Sequence, residues 1–274
     1  MTRKIVYNFE DVDYYRFSVY RMSKNVQTVY TYLIDDVLID TAQRHNRDNL
    51  YSILKDKNIS KILLTHHHED HSGNLGYLIK KLQIPAYGHQ YAHDILKNGY
   101  TISPLSAMLS GKVDKANINV IHDNEIIETE NHQLKAIYTP GHSPDHFCYY
   151  EPNKGWLFSG DLYVADKIKY FARFESLLTQ IESLKKLIQL DFDVLFCSHN
   201  PKVEHGKERL TRKLEFFQDF AQTVTSYHKQ GYTQKEIFSK MDLKENYLNK
   251  FITFGGFCAE NMIYSVLRDL RNKQ

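Results

Sequence analysis

The segment Thr65-His66-His67-His68-Glu69-Asp70-His71-Ser72-Gly73 packs four histidines and two carboxylates into six consecutive positions. Imidazole nitrogens and carboxylate oxygens are the donors that hold zinc, iron or manganese, so the chemistry they suggest is metal binding. A lone histidine reads more readily as a solvated or packing residue. The spacing HxHxDH does not: with histidine at about one residue in twenty, it arises by chance in roughly one chain of this size in several hundred. His66 and His68, two apart on an extended segment, can point the same way and share one ion, while Asp70 and His71 turn toward a second position. A zinc-protease helix does not explain the cluster, because HExxH needs histidine where His68-Glu69 is followed by Ser72.

Three later sites offer what a two-metal centre still lacks: Thr139-Pro140-Gly141-His142, Ser159-Gly160-Asp161 and Cys197-Ser198-His199-Asn200-Pro201. Each follows an apolar run, as the first motif follows Lys61 to Leu64. Strands placed side by side in packed sheets would bring these ends to one edge, where five histidines and two aspartates meet.

The elements that must position them follow from periodicity. Residues 5 to 41 read as strands, with a hairpin turning at Asp35-Asp36 and ending at Asp40-Thr41. Helical spacing marks Arg47 to Lys55, Leu75 to Leu82, Tyr91 to Lys97 and Ser176 to Leu190. Further strands are expected at Val120 to Ile127, Gln133 to Tyr138, Phe147 to Tyr150, Trp156 to Phe158 and Asp193 to Cys197. Residues 98 to 117 read as a long irregular loop and a candidate pocket wall. Strands in series with intervening helices predict a layered α/β (α+β) fold over residues 1 to 206. From Gly206 onward strand signals stop, and helices at Leu210 to Val224, Gln234 to Met241 and Glu260 to Leu270 make 207 to 274 a helical C-terminal extension.

Composition narrows the function. The 274 residues carry 35 Lys and Arg against 33 Asp and Glu, so no overall field favours nucleic acid or an anionic membrane. The extension holds 12 basic against 8 acidic residues, too weak a footprint to expect a nucleic-acid partner. No segment approaches the ~18 apolar residues of a membrane span and no secretory leader is visible, so a cytoplasmic protein acting on a small molecule is expected. Cys148, Cys197 and Cys258 form no CxxC pair, which argues against a disulfide framework or a cysteine zinc knuckle. GxSxG, GxGxxG and GxxxxGK[ST] are absent, so rival chemistries lack their signatures.

The order THxHxDH, TPGHSxxH, SGD and strand-terminal SHNP resembles the metallo-β-lactamase superfamily, in its glyoxalase II-like and lactonase-like branches, over about residues 25 to 205. The resemblance implies a four-layer αββα sandwich with metals at the sheet edge. By it, His66, His68 and His142 hold one metal, Asp70, His71 and His199 the second, and Asp161 bridges both. Asp40 matches the superfamily's first motif and supports the site from behind, and His146 takes a supporting position. The cofactors so implied are two divalent ions, zinc first, with iron or manganese as alternatives.

A hydroxide shared by two such ions attacks without a serine or cysteine, and Asp70 orients it. The expected activity is hydrolysis of a small ester, thioester or lactone. Alternatives are a phosphodiesterase or endoribonuclease of the same group and a mononuclear iron sulfur dioxygenase. Large nucleic-acid processing members insert a domain after SGD, and the 38 positions from Asp161 to His199 leave no room for one. Flavodiiron oxidoreductases typically carry glutamate at the position of His68 and a flavodoxin domain, and this chain has neither.

Overall fold

The computed structural model describes residues 1–272. The last two residues of the expected extension, Lys273 and Gln274, lie outside the described residues. A seven-stranded sheet contains, in spatial order, β1 (Thr2–Phe9), β2 (Val12–Arg21), β3 (Lys24–Ile34), β4 (Val37–Ile39), β5 (Lys61–Leu63), β6 (Ala86–Gly88) and β7 (Asn119–Val120). β1 to β4 are antiparallel and β4 to β7 parallel. A five-stranded sheet is formed by β8 (Ile126–Glu128), β9 (Gln133–Tyr138), β10 (Phe147–Glu151), β11 (Trp156–Gly160) and, after the short β12 (Phe171–Ala172), β13 (Val194–Cys197). Its order is β13-β11-β10-β9-β8, with β11 and β13 parallel. β12 pairs with β14 (Phe257–Cys258) in a ribbon of its own.

The helices are α1 (Arg47–Leu54), α2 (Glu69–Ser72), α3 (Leu75–Leu82), α4 (Gln90–Asn98), α5 (Pro104–Leu109), α6 (Leu177–Leu187), α7 (Gly206–Lys229), α8 (Gln234–Lys240), α9 (Tyr247–Ile252) and α10 (Glu260–Arg271).

Strand alternation builds four layers. Side chains two apart along a strand share a face, so Tyr32, Ile34, Val37 and Ile39 meet Phe147, Tyr149, Trp156, Phe158 and Phe196 between the sheets. Their neighbours Leu33, Leu38, Ile62 and Leu64 face outward onto Leu50, Leu54, Leu75, Leu78 and Leu96 of α1, α3 and α4. On the other side Cys148, Leu157 and Leu195 face Leu177, Leu184, Leu210, Phe217 and Ile263 of α6, α7 and α10. The C-terminal helices thus share one buried cluster with the second sheet.

Three expectations need correction. Val120 to Ile127 is two strands in different sheets: a turn through Asn124, at φ 68°, and Glu125, whose carboxylate accepts the His122 N–H at 2.9 Å, carries the chain across the sandwich. Residues 98 to 117 are not wholly irregular, since Ser103 caps α5 by accepting from Ser106 N. Strands do not stop at Gly206, because β14 pairs back onto β12, and α9 adds a six-residue helix that leaves its apolar face of Tyr247, Leu248, Phe251 and Ile252 exposed.

Candidate metal centre

The parallel pairs β4–β5 and β11–β13 direct their C-terminal ends to one edge, and the β9–β10 turn opens there too. His66 and His68 follow β5, and Asp70 and His71 lie in α2, whose close approach to the β4 loop requires Gly73: a Cβ there would sit 2.6 Å from Ala42 O and Arg44 N. His142 comes from the β9–β10 turn, Asp161 from the end of β11 and His199 from the end of β13. The chain therefore brings all seven expected ligand residues together.

They fall into interlocking groups. His66 Nε2 and His142 Nε2 stand 2.9 and 3.1 Å from His68 Nδ1. Asp70, His71 and His199 form a second group, with His71 Nε2 3.7 Å from Asp70 Oδ1 and His199 Nε2 3.5 Å from Asp70 Oδ2. Asp161 lies between: Oδ1 is 3.2 Å from His199 Nε2 and 3.4 Å from His71 Nε2, and Oδ2 is 3.6 Å from His142 Nε2.

The outer ring nitrogens of four of the five histidines are occupied. Nδ1 of His71 donates to Asp40 Oδ2 at 2.8 Å, that of His142 to Glu175 Oε2 at 3.1 Å, and that of His199 to Thr28 O at 2.6 Å. Nδ1 of His66 donates to Thr65 Oγ1 at 3.1 Å, whose own hydroxyl is spent on Asp40 Oδ2 at 2.7 Å. These bonds fix tautomers that leave Nε2 lone pairs aimed inward, as metal-ligating histidines are held. Among the described residues, His71 Nε2 and Asp161 Oδ1 are buried without a hydrogen-bond partner. Buried polar atoms are rarely left so, and a cation between these donors satisfies them. The donor set fits a pair of divalent ions.

A family model described as the metallo-beta-lactamase superfamily matches residues 25–199. The chain belongs to that superfamily. It resembles a metallo-beta-lactamase family protein from Thermus thermophilus with a TM-score of 0.72 at 20% identity, covering 97% of this chain and 94% of that one. A beta-lactamase domain protein from Burkholderia ambifaria gives 0.64 at 15%, covering 80% and 78%, and a metallo-beta-lactamase from Pontibacter korlensis 0.62 at 19%, covering 79% and 100%. At these identities the likeness is one of fold. The Thermus protein matches the sandwich and nearly all that follows it.

Superfamily membership gives the site's electrostatics a context. Burial, reinforced by neighbouring imidazoles, pushes His66 and His68 well below the ordinary histidine range, keeping both neutral. Burial opposes protonation of His199 too, but Asp161 outweighs it and raises that imidazole to about 9. The same contest raises His71 well above its ordinary value, through Asp161, Asp70 and Asp40. Burial disfavours the Asp161 carboxylate, yet His199 and His71 hold it well below the usual range. The carboxylates demand positive charge here, and protons and metal ions compete to supply it.

Asp40 stands behind the cluster: Oδ1 accepts Thr65 N at 2.8 Å, while Oδ2 takes the Thr65 hydroxyl and the His71 ring. His146 accepts from Asp161 N at 3.2 Å through Nε2, and its Nδ1 lies 2.9 Å from Thr139 Oγ1. His67 turns away from the cluster of candidate ligands, and Asp145 Oδ2 accepts its N–H at 2.7 Å and Asp145 Oδ1 its ring at 2.9 Å. Of the other histidines, His89 caps α4 and His132 lies beside Glu151.

Sequence reasoning missed Glu175, Gln27 and Asp145. Gln27 donates to Asp70 Oδ2 at 3.1 Å, and Ser110 donates to Gln27 Oε1 at 3.0 Å, tying the 98–117 segment to the site. Asp145 lies inside the Ser143-Pro144-Asp145-His146 motif, the one available signal; Glu175 and Gln27 have none, since tertiary contact alone gives them their roles. In the aromatic stretch 163 to 174, Tyr163 and Phe171 are buried, whereas Phe174 is 60% exposed with its ring centroid 5.6 Å from that of His68.

Proposed function

We propose that the protein is a dinuclear-metal hydrolase of a small ester, thioester or lactone. The observation that carries this reading is the Asp161 carboxylate, one oxygen toward His71 and His199 and the other toward His142, between two groups of inward-facing donors. His66, His68 and His142 would hold one ion, Asp70, His71 and His199 the other, and Asp161 both. Two divalent ions, zinc by preference, supply Lewis acidity and lower the pKa of water to near neutrality when bound.

The chain's own residues do the rest. Gln27 fixes Asp70 Oδ2, and the Asp70 carboxylate accepts a hydrogen bond from the attacking water and orients it toward the carbonyl. Asp145, through His67 N, and Asp40, through Thr65 N, hold the ligand loop rigid. Phe174, exposed beside His68, offers an apolar contact that suits an acyl group better than a phosphodiester.

We read the segment from 207 onward, through its described residues to Asn272, as a mainly helical extension of the 1–206 domain, supported by the hydrophobic cluster they share. No helix among the described residues is long and apolar enough to cross a membrane. The test is elemental analysis with hydrolysis assays on a panel of thioesters, lactones and phosphodiesters. About two metals per chain and turnover of a carboxylic derivative are expected. Metal-free protein purified without chelators, or turnover confined to phosphodiesters, would overturn the reading.

A further inference from the structure

The Glu175 carboxylate is buried and fully engaged: Oε1 accepts Ala172 N at 2.8 Å, and Oε2 accepts Gln180 Nε2 at 2.9 Å as well as the His142 ring at 3.1 Å. Its position is set from the C-terminal helix. Ser265 Oγ in α10 donates to Glu175 O at 3.0 Å and accepts Leu177 N at 2.8 Å, and Arg268 Nη2 donates to the same carbonyl at 2.9 Å. Asn261 Nδ2 of the same helix donates to Phe171 O at 3.0 Å, and Ser176 Oγ donates to Asp269 Oδ2 at 2.6 Å. The His142 turn is pinned from the same side: Ser176 N donates to Gly141 O at 2.8 Å, and a Cβ at Gly141 would lie 2.6 Å from Gln180 N.

We infer that α10 is a working part of the metal centre, acting through Glu175 as a positioning residue that sets the tautomer and aim of His142. The inference rests on the metal-binding reading of His66, His68 and His142 and goes beyond it. A carboxylate on the outer nitrogen does two things. It keeps the proton on Nδ1, leaving the Nε2 lone pair toward His68 and Asp161, and it raises the basicity of that lone pair. Without it the ring is free to rotate or to place its proton on the inward nitrogen. α10, which begins 61 positions beyond His199, the last expected ligand, thereby governs the strength of one of the two metal positions.

The test titrates metal-free full-length protein with Zn2+ by calorimetry and records the visible band of the Co2+-loaded form. Glu175→Ala is expected to weaken one of the two binding events by about 10- to 100-fold and to shift the Co2+ band. Glu175→Gln, whose amide oxygen can still accept from Nδ1, is expected to recover part of the loss. Ser265→Ala, which loosens the backbone of Glu175 but keeps its carboxylate, is expected to weaken the same event about threefold and decides the matter if Glu175→Ala fails to fold. Wild-type affinity and spectrum in Ser265→Ala and in the folded Glu175 variants would overturn the coupling alone. Wild-type protein that takes up no Zn2+ would overturn the coupling together with the metal reading beneath it.

Discussion

His71 and Asp40 are joined by a 2.8 Å bond from Nδ1 to Oδ2, and Asp40 holds it from a left-handed backbone at φ 61°. The residue is thus bent out of the strand that precedes it, at a conformational cost that aspartate tolerates better than most residues. Three donors converge on its two oxygens, and Thr65 and His71 are both placed by them.

Asp40→Asn leaves one acceptor oxygen and an amide facing three donors. The expected result is about a 10- to 100-fold loss of affinity at the position built on His71, together with about 1–3 kcal/mol of destabilisation. Zinc titration and urea unfolding of the metal-free protein measure the two effects separately.

His66→Ala and Asp161→Ala each remove a donor from the rim and none from the apolar core. Hydrolysis should fall to background and metal content by at least one ion per chain, with the far-ultraviolet circular dichroism unchanged. Retained turnover in either variant would be incompatible with the assignment.

Gly160 precedes Asp161 at φ +49°, and a Cβ there would lie 2.6 Å from His146 Nε2 and 3.0 Å from Thr65 Cβ. Gly160→Ala should cost about 2–4 kcal/mol, from a left-handed backbone and a collision with packed neighbours. Because Asp161 N donates to His146 Nε2, the same change should lower metal content. Thermal unfolding and elemental analysis should move together.

Lys213 in α7 is buried, with Nζ donating to Leu162 O at 2.6 Å. Burial outweighs the nearby Glu175 and Asp161 charges and pushes its ammonium down from 10.5 to about 8. Between these values the unfolded chain binds more protons than the folded one, so this group's contribution to stability rises with pH. Relative to Lys213→Met, the wild-type protein should gain about 3 kcal/mol from pH 8 to pH 10.5. A difference that stays flat across this window would contradict the burial argument.

Much of the candidate site was legible because its residues are concentrated at strand ends in motifs with fixed spacing. HxHxDH, SGD and SHNP name their participants directly, and alternating apolar residues identify the strands that deliver them. Glu175 was not legible: it sits in an irregular stretch before α6, and only the docking of α10 gives it a role. Gln27 alternates along β3 like any polar strand residue, and nothing local marks its contact with Asp70. The two-residue strands β12 and β14 are too short for any period, and the apolar stripe of α9, Tyr247, Leu248, Phe251 and Ile252, spans too few residues to mark a helix. Local patterns report local causes, so what was missed is what distant packing decides.

The first sheet and its loops contribute His66, His68, Asp70 and His71, and the second contributes His142, Asp161 and His199. Neither half of the sandwich owns a complete set of donors. Cations seated between them would act as rivets through two plates, so the affinity for metal is also a measure of how firmly the halves are pressed together. Stripping the ions should let the seam part first along this edge, while the apolar interior still holds.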